Sequence, residues 1–331
     1  MSGPDLGLVL LSALLHALWS LAIKGSRSPL GFNVLQLVPT AIAACALPWL
    51  VPLAELPASI WALAAGTGVA HGLYFYWLSR ALAAGQLSIV YPIARSAPAF
   101  VPLVAVPLLG APVRAGGALG IGVVVAGLWA VQVEAGAAAG RAAPGPLGHR
   151  TGRAAPGPLE HRTGQVAPGP PDRPTGWRRL LVAPGAGWAW LTLAASVGYS
   201  LVDKMAMARL GELPWRSAVP PAIAWYVILC TSGMVVFVPL ALRHVRPRAL
   251  AEQARHEWRT ALLAAAVGLV GYGLILHALR TAPVSYVVAV RQASVLFAVA
   301  LGVLRLRERP TRLRLVGALA TVLGVALVAA S

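Results

Sequence analysis

Arg95 and Arg291 stand inside long apolar stretches of the chain. A charge there is costly, about 2.5–3.5 kcal/mol at the centre of a membrane-spanning helix on insertion scales, so each needs a partner, water or a ligand. Two guanidiniums in a wet cavity are suited to gripping a carboxylate or phosphate in bidentate fashion. They could instead bond carbonyls freed by broken helices, or Arg291 could pair with Asp203, an acid that also lies deep in an apolar run. Pro92, Pro98, Pro102 and Pro107 share the stretch that holds Arg95. Each removes a ladder donor, and carbonyls freed in this way are tolerated only against protein or a watery cavity. Tyr91, Pro92 and Arg95 are therefore expected to line a cavity, with Tyr286, Arg291, Gln292 and Ser294 as their counterparts later in the chain.

His16, Ser20 and Lys24 are spaced by four, which puts them on one helical face. Ser196, Ser200 and Lys204 repeat that spacing, with Tyr199 and Asp203 alongside. Polar groups on one face of an apolar helix suggest a lining, to which Trp19 and Tyr199 would add aromatic walls. His16 is a candidate for linking transport to protons, because imidazole changes charge near neutrality, and Asp203 is the other candidate. His16 could equally be a hydrogen-bonded packing residue, and each lysine could snorkel to an interface. His71 and His277 carry less of this signal.

The elements that position these residues follow from composition. The 331 residues are 58% hydrophobic and only 11% charged, against about 25% charged in soluble domains, which marks an integral membrane protein. The formal charge of +17 would invite a nucleic-acid reading, but the arginines sit mostly in connections between apolar runs and in one insert, where they set membrane topology. No nucleic-acid partner is expected. Runs long enough to span a bilayer cover Leu6 to Ile23, Phe32 to Val51, Ile60 to Leu78, Leu87 to Leu109, Ala115 to Val133, Trp188 to Met207, Ala222 to Leu242, Thr260 to Leu279, Pro283 to Leu304 and Leu313 to Ala330. The first run lacks a small-residue cleavage site after it and reads as a retained helix. Residues 140–176 are a Pro/Gly/Arg-rich linker with three copies of a twelve-residue unit, GRAAPGPLGHRT, GRAAPGPLEHRT and GQVAPGPPDRPT, and are expected to be disordered. Its His149 and His161 have no flanking cysteines, so no metal site is expected.

The linker separates two related halves, residues 1–139 and 177–331. An offset of 180 lays Trp19, Ser20, Leu21 and Lys24 on Tyr199, Ser200, Leu201 and Lys204. An offset of 197 lays Ala81, Leu82, Ser88 and Val90 on Ala278, Leu279, Ser285 and Val287, and Gly120 and Gly127 on Gly317 and Gly324. Two like halves of five spans must enter the membrane in opposite senses, which is the inverted-repeat plan of secondary transporters. The expected fold is all-α, with ten transmembrane helices as two inverted five-helix repeats in the cell membrane. The expected function is alternating-access movement of a small anionic or zwitterionic metabolite, by a monomer or homodimer in contact with the lipid bilayer. Candidate substrate contacts are Arg95, Arg291, Tyr91, Trp19, Ser20, Tyr199, Ser200, Tyr286 and Gln292. No HExxH, GxSxG, CxxC or Walker pattern occurs, so no enzyme and no cofactor is expected. The alternative is a membrane accessory or lipid-handling protein whose basic linker binds anionic headgroups.

HALWSLAIK, SIVYPIARSAP, YSLVDK, APVSYVVAVRQASVLF and LRERPTRLRLVGALATVLGVALV together resemble the EamA-type branch of the drug/metabolite transporter superfamily. Within that branch the chain most resembles permeases associated with phosphonate utilisation. The resemblance implies a ten-span helical fold, a central cavity and no covalent cofactor. It departs at Ala111, where the first half lacks the acid that Glu308 supplies in the second, at Ser20, where an asparagine is common, and at Gln292, where a glutamate often follows the arginine. His16 occupies the place of the first-span acid of the related small multidrug resistance proteins, which argues against carboxylate-driven antiport.

Overall fold

The computed structural model describes residues 1–84, 87–110, 113–142, 183–297, 300 and 312–331. Ala111, Glu308 and the linker from residue 143 onward lie outside them, as do the side chains of Tyr91 and Lys24. Among the described residues the regular elements are all helical. In the first half they are α1 (Gly3–Lys24), α2 (Pro29–Leu35), α3 (Leu37–Leu50), a 3-10 turn at Leu53–Glu55, α4 (Ala58–Ala84), α5 (Leu87–Ala94), α6 (Ala97–Leu109) and α7 (Ala115–Ala142). In the second they are α8 (Ala186–Glu212), α9 (Pro221–Leu242), α10 (Pro247–Ala278), α11 (Val284–Arg291) and α12 (Arg312–Ala330).

Local chemistry explains most boundaries. Ser2 caps α1 by accepting from the Asp5 amide, and Ser28 caps α2 by accepting from the Gly31 amide. Proline opens α1, α2, α6, α9 and α10, where its missing N–H is no loss. α10 begins 13 residues before the apolar run at Thr260, because the preceding RALAEQARHEWR stretch is rich in strong helix formers. The Ala-rich AGAAAGRA sequence likewise carries α7 to Ala142, past Gly140 where the linker was expected to start.

Three apolar runs that read as single spans are interrupted. α2 gives way to α3 at Gln36, α5 to α6 at Arg95 and Ser96, and α11 ends at Arg291 before a further helical stretch reaches Phe297. At the middle break the Ser96 hydroxyl donates to the Pro92 carbonyl at 2.6 Å, satisfying an acceptor that the ladder abandons.

Among the described residues five stretches are long and apolar enough to cross a membrane: Gly3–Ile23, Pro29–Leu50, Pro92–Leu109, Pro221–Leu242 and Pro247–Ala278. Ala115–Val131, Val284–Phe297 and Leu315–Ala330 are shorter apolar helices. α4 and α8 have 27 residues each, about 40 Å of helix at 1.5 Å per residue, but they carry polar groups inward and pack on one another at the centre. α4 also packs on α9, α1 on α10, α6 on α11, and α7 on α12. The α7–α12 crossing is close enough that a Cβ on Gly120 would lie 2.8 Å from the Gly324 carbonyl oxygen, and one on Gly317 would lie 2.7 Å from that of Gly127. Small residues permit that approach. Leu11, Ile42, Leu103, Leu119, Val235, Leu263 and Leu323 are exposed around the outside, a surface suited to acyl chains rather than water.

Candidate functional site

The helix breaks converge on a central cavity with two chambers. The larger is lined by Ser12, His16 and Trp19 of α1, Asn33 of α2, the junction residue Gln36, His71, Tyr74 and Phe75 of α4, Tyr199 of α8, Tyr226 and Cys230 of α9, Tyr272 of α10 and Arg291 of α11, among others. It holds roughly 910 Å3 of space unfilled by protein, part of it open to solvent, within the range of small-molecule sites. The smaller is lined by His16, Tyr74, Arg95, Ser196, Tyr199, Ser200, Arg291 and Gln292, with Ala94, Ala97 and Val288. His16, Tyr74, Tyr199 and Arg291 border both chambers.

In the lining of the larger chamber an amide pair is held in place. The Trp19 indole donates to Gln36 Oε1 at 2.7 Å, and Gln36 Nε2 donates to Asn33 Oδ1 at 2.7 Å. Trp19 also stacks on His16, with ring centroids 5.2 Å apart. The Arg291 guanidinium lies over the Tyr272 ring at 5.0 Å and beside the Tyr199 hydroxyl. A cation over an aromatic face is stabilised by the ring quadrupole.

Asp203 is not the partner of Arg291. It is fully buried, and its carboxylate accepts from three helices: Thr67 Oγ1 at 2.8 Å, Trp225 Nε1 at 3.1 Å and Tyr272 Oη at 2.6 Å. Thr67 Oγ1 in turn lies 3.0 Å from His71 Nδ1, which is also 3.1 Å from the Thr67 carbonyl oxygen. The His71 ring stacks on Tyr199, with centroids 4.0 Å apart.

Other expected contacts sit elsewhere. Ser20 turns its hydroxyl to the His16 carbonyl at 2.8 Å and lines neither chamber. Ser200 makes the same bond to Ser196 at 2.7 Å and borders the smaller chamber. Tyr286 is buried away from both, its ring packed on Gly117 and its hydroxyl accepting from the Arg114 amide at 3.3 Å. Lys204 neither snorkels nor reaches the cavity. Its ammonium donates to the carbonyls of Leu279 at 2.6 Å and Ala282 at 3.1 Å, closing the C-terminal end of α10. Tyr91 is on α5, with its side chain outside the described residues. Asn33, Gln36, His71, Tyr74, Tyr226 and Tyr272 were not anticipated as lining. The amides at least had a signal, since GFNVLQLVP places Asn33 and Gln36 three apart in an apolar run.

The family model described as the EamA-like transporter family matches residues 5–132 and 187–330, most of the chain and both halves. The chain belongs to the EamA-like transporter family. No curated protein matches it. A solved crystal structure of a protein shares the fold with a TM-score of 0.65 and 18% identity, over 99% of this chain and 96% of the other. As a member of the EamA family, itself part of the drug/metabolite transporter superfamily, the protein is a multi-pass membrane transporter of small molecules in contact with the bilayer. EamA proteins are transporters rather than enzymes, and the family match leaves out residues 133–186, which hold the basic linker.

Proposed function

We propose that the chain is a secondary transporter of the cell membrane that moves a small anionic or zwitterionic metabolite by alternating access through the two-chambered cavity. The observation that carries this reading is the meeting of Arg95 and Arg291 on the smaller chamber, each delivered by an interrupted helix. Two guanidiniums beside Gln292 and Ser200 form a donor-rich end for a carboxylate or phosphonate, and the latter group accords with the resemblance to phosphonate-associated permeases. Trp19 and Tyr199 wall the larger chamber, where aromatic rings and the Asn33–Gln36 amides receive the rest of the substrate.

Ten spans in two inverted five-helix repeats are the architecture that goes with this reading, and the packing supports it. α4, the third span of the first half, lies on α8, the first of the second; conversely α10 lies on α1. Gly120 meets Gly324 while Gly127 meets Gly317, and the 197-residue offset equates Gly120 with Gly317 and Gly127 with Gly324. Such reciprocal contact is what a two-fold axis produces.

The test is flux of radiolabelled anions, including phosphonates, amino acids and carboxylates, into proteoliposomes. Arg95→Ala and Arg291→Ala should each abolish it at unchanged protein abundance. Equal flux through both variants would overturn the reading.

A further inference from the structure

The two chambers are lined by two arginines, Arg95 and Arg291, and by two histidines, His16 and His71. His16 borders the smaller chamber together with both Arg95 and Arg291, so an imidazolium there would face two like charges. His71 has a different setting, and hydrogen-bond logic fixes its state. A backbone carbonyl can only accept, so the 3.1 Å contact from His71 Nδ1 to the Thr67 carbonyl requires the proton to be on Nδ1. That proton also faces Thr67 Oγ1, which is thereby free to give its own proton to Asp203 at 2.8 Å. The neutral ring is left with its lone pair on Nε2, on a side chain that lines the larger chamber.

We propose that His71 is a reversible proton-binding site of the transporter, with its tautomer fixed by Thr67 and its counter-charge supplied through Thr67 by Asp203. This rests on reading the cavity as a transport path for anions. The step is a simple protonation: Nε2 takes a proton from cavity water, the ring becomes an imidazolium, and no bond other than that N–H forms. Burial opposes the charged ring, and three features work in its favour. The buried carboxylate of Asp203 is one residue away in the hydrogen-bond chain. Both ring N–H groups of the cation can then donate. The Tyr199 ring stacked at 4.0 Å offers its π face to the new charge.

Every neighbouring helix contributes to the balance. From α8 Tyr199 stacks on His71 and Asp203 reaches it through Thr67, and from α10 Tyr272 meets it edge-on, while Tyr226 and Cys230 of α9, His16 of α1, Tyr74 of α4 and the amides Asn33 and Gln36 line the same chamber. The opposing cation is Arg291 of α11, which borders the same chamber. An anion held by Arg291 would remove that repulsion, so proton and anion favour each other's binding, and the coupling is reciprocal.

Solid-state NMR of the full chain, labelled with 15N-histidine and reconstituted in lipid, tests the site without any substrate. The His71 signals are those lost in His71→Gln. At high pH the ring should be the Nδ1–H tautomer, and on acidification it should gain its second proton reversibly. Thr67→Val keeps the backbone carbonyl and so the Nδ1–H tautomer, but it cuts the link to Asp203 and should weaken uptake of the second proton. A ring that is Nε2–H, or neutral throughout, overturns the proposal on the wild-type protein alone. The outcome is separable from the anion reading: a titrating His71 in a protein whose flux survives loss of both arginines would keep the proton site and discard the anion chamber.

Discussion

Arg95 and Arg291 reach the same small chamber from helix breaks on opposite sides of the linker. Two guanidiniums on one chamber wall offer planar donor sets to the anion proposed as substrate. Each break also exposes backbone polar groups, which are tolerated in a bilayer only beside protein or a hydrated cavity.

The first prediction separates charge from geometry. Arg291→Lys keeps the charge but loses the planar fork and the contact with the Tyr272 ring. Anion affinity should fall about tenfold, the size expected from losing one charge-assisted bond of about 1.5 kcal/mol, while Arg291→Ala removes transport. Measuring KM and maximal flux in proteoliposomes distinguishes them: an unchanged KM in Arg291→Lys would show that only charge counts.

Asp203 ties α4, α9 and α10 together through three accepted bonds from its position on α8. Asp203→Ala strands the Thr67 hydroxyl, the Trp225 indole and the Tyr272 hydroxyl. Stranded buried donors cost about 1–3 kcal/mol each, so the variant should lose several degrees of melting temperature in detergent. Asp203→Asn keeps one acceptor oxygen, enough for part of the set, and should lie between it and wild type. Equal melting of all three proteins would mean that the network does not hold the helices.

The α7–α12 crossing predicts a steric result. A side chain at Gly317 must displace the backbone of Gly127, since its Cβ alone would lie 2.7 Å from that carbonyl oxygen. Gly317→Leu should destabilise the fold by roughly 1–3 kcal/mol, the usual range for overpacking. Gly122 has no neighbour within 4 Å of a built Cβ, so Gly122→Leu serves as the control that should melt like wild type.

Much of the fold was legible because a bilayer reduces the problem to finding apolar runs and the charges between them. Arg95, Arg291, Trp19 and Tyr199 were legible as cavity residues because charge and amphipathic rings stand out against an apolar background. The roles of Ser20 and Tyr286 were not. A serine four residues after a carbonyl can return its hydroxyl to its own helix, and spacing is blind to that choice. Tyr286 follows the alignment of the halves but packs on Gly117, a partner in another helix. His71 ranked below His16 for the same reason: its significance comes from Thr67 on the preceding turn and Asp203 on α8, and only the second of these stood out in the sequence.

Proton coupling at His71 has a consequence for flux. If an anion travels with one proton, a pH gradient acid on the entry side should drive uphill accumulation of a substrate found in the proteoliposome screen. His71→Gln keeps a polar side chain on α4 but cannot carry a charge, so it should permit exchange down a concentration gradient while losing the response to pH. His16→Gln should keep that response, because His16 stacks on Trp19 beside two arginines and has no place in the Thr67–Asp203 chain. A pH response that survives in His71→Gln and vanishes in His16→Gln would move the coupling site to α1. Asp203 would then act only as the bolt between α4, α9 and α10.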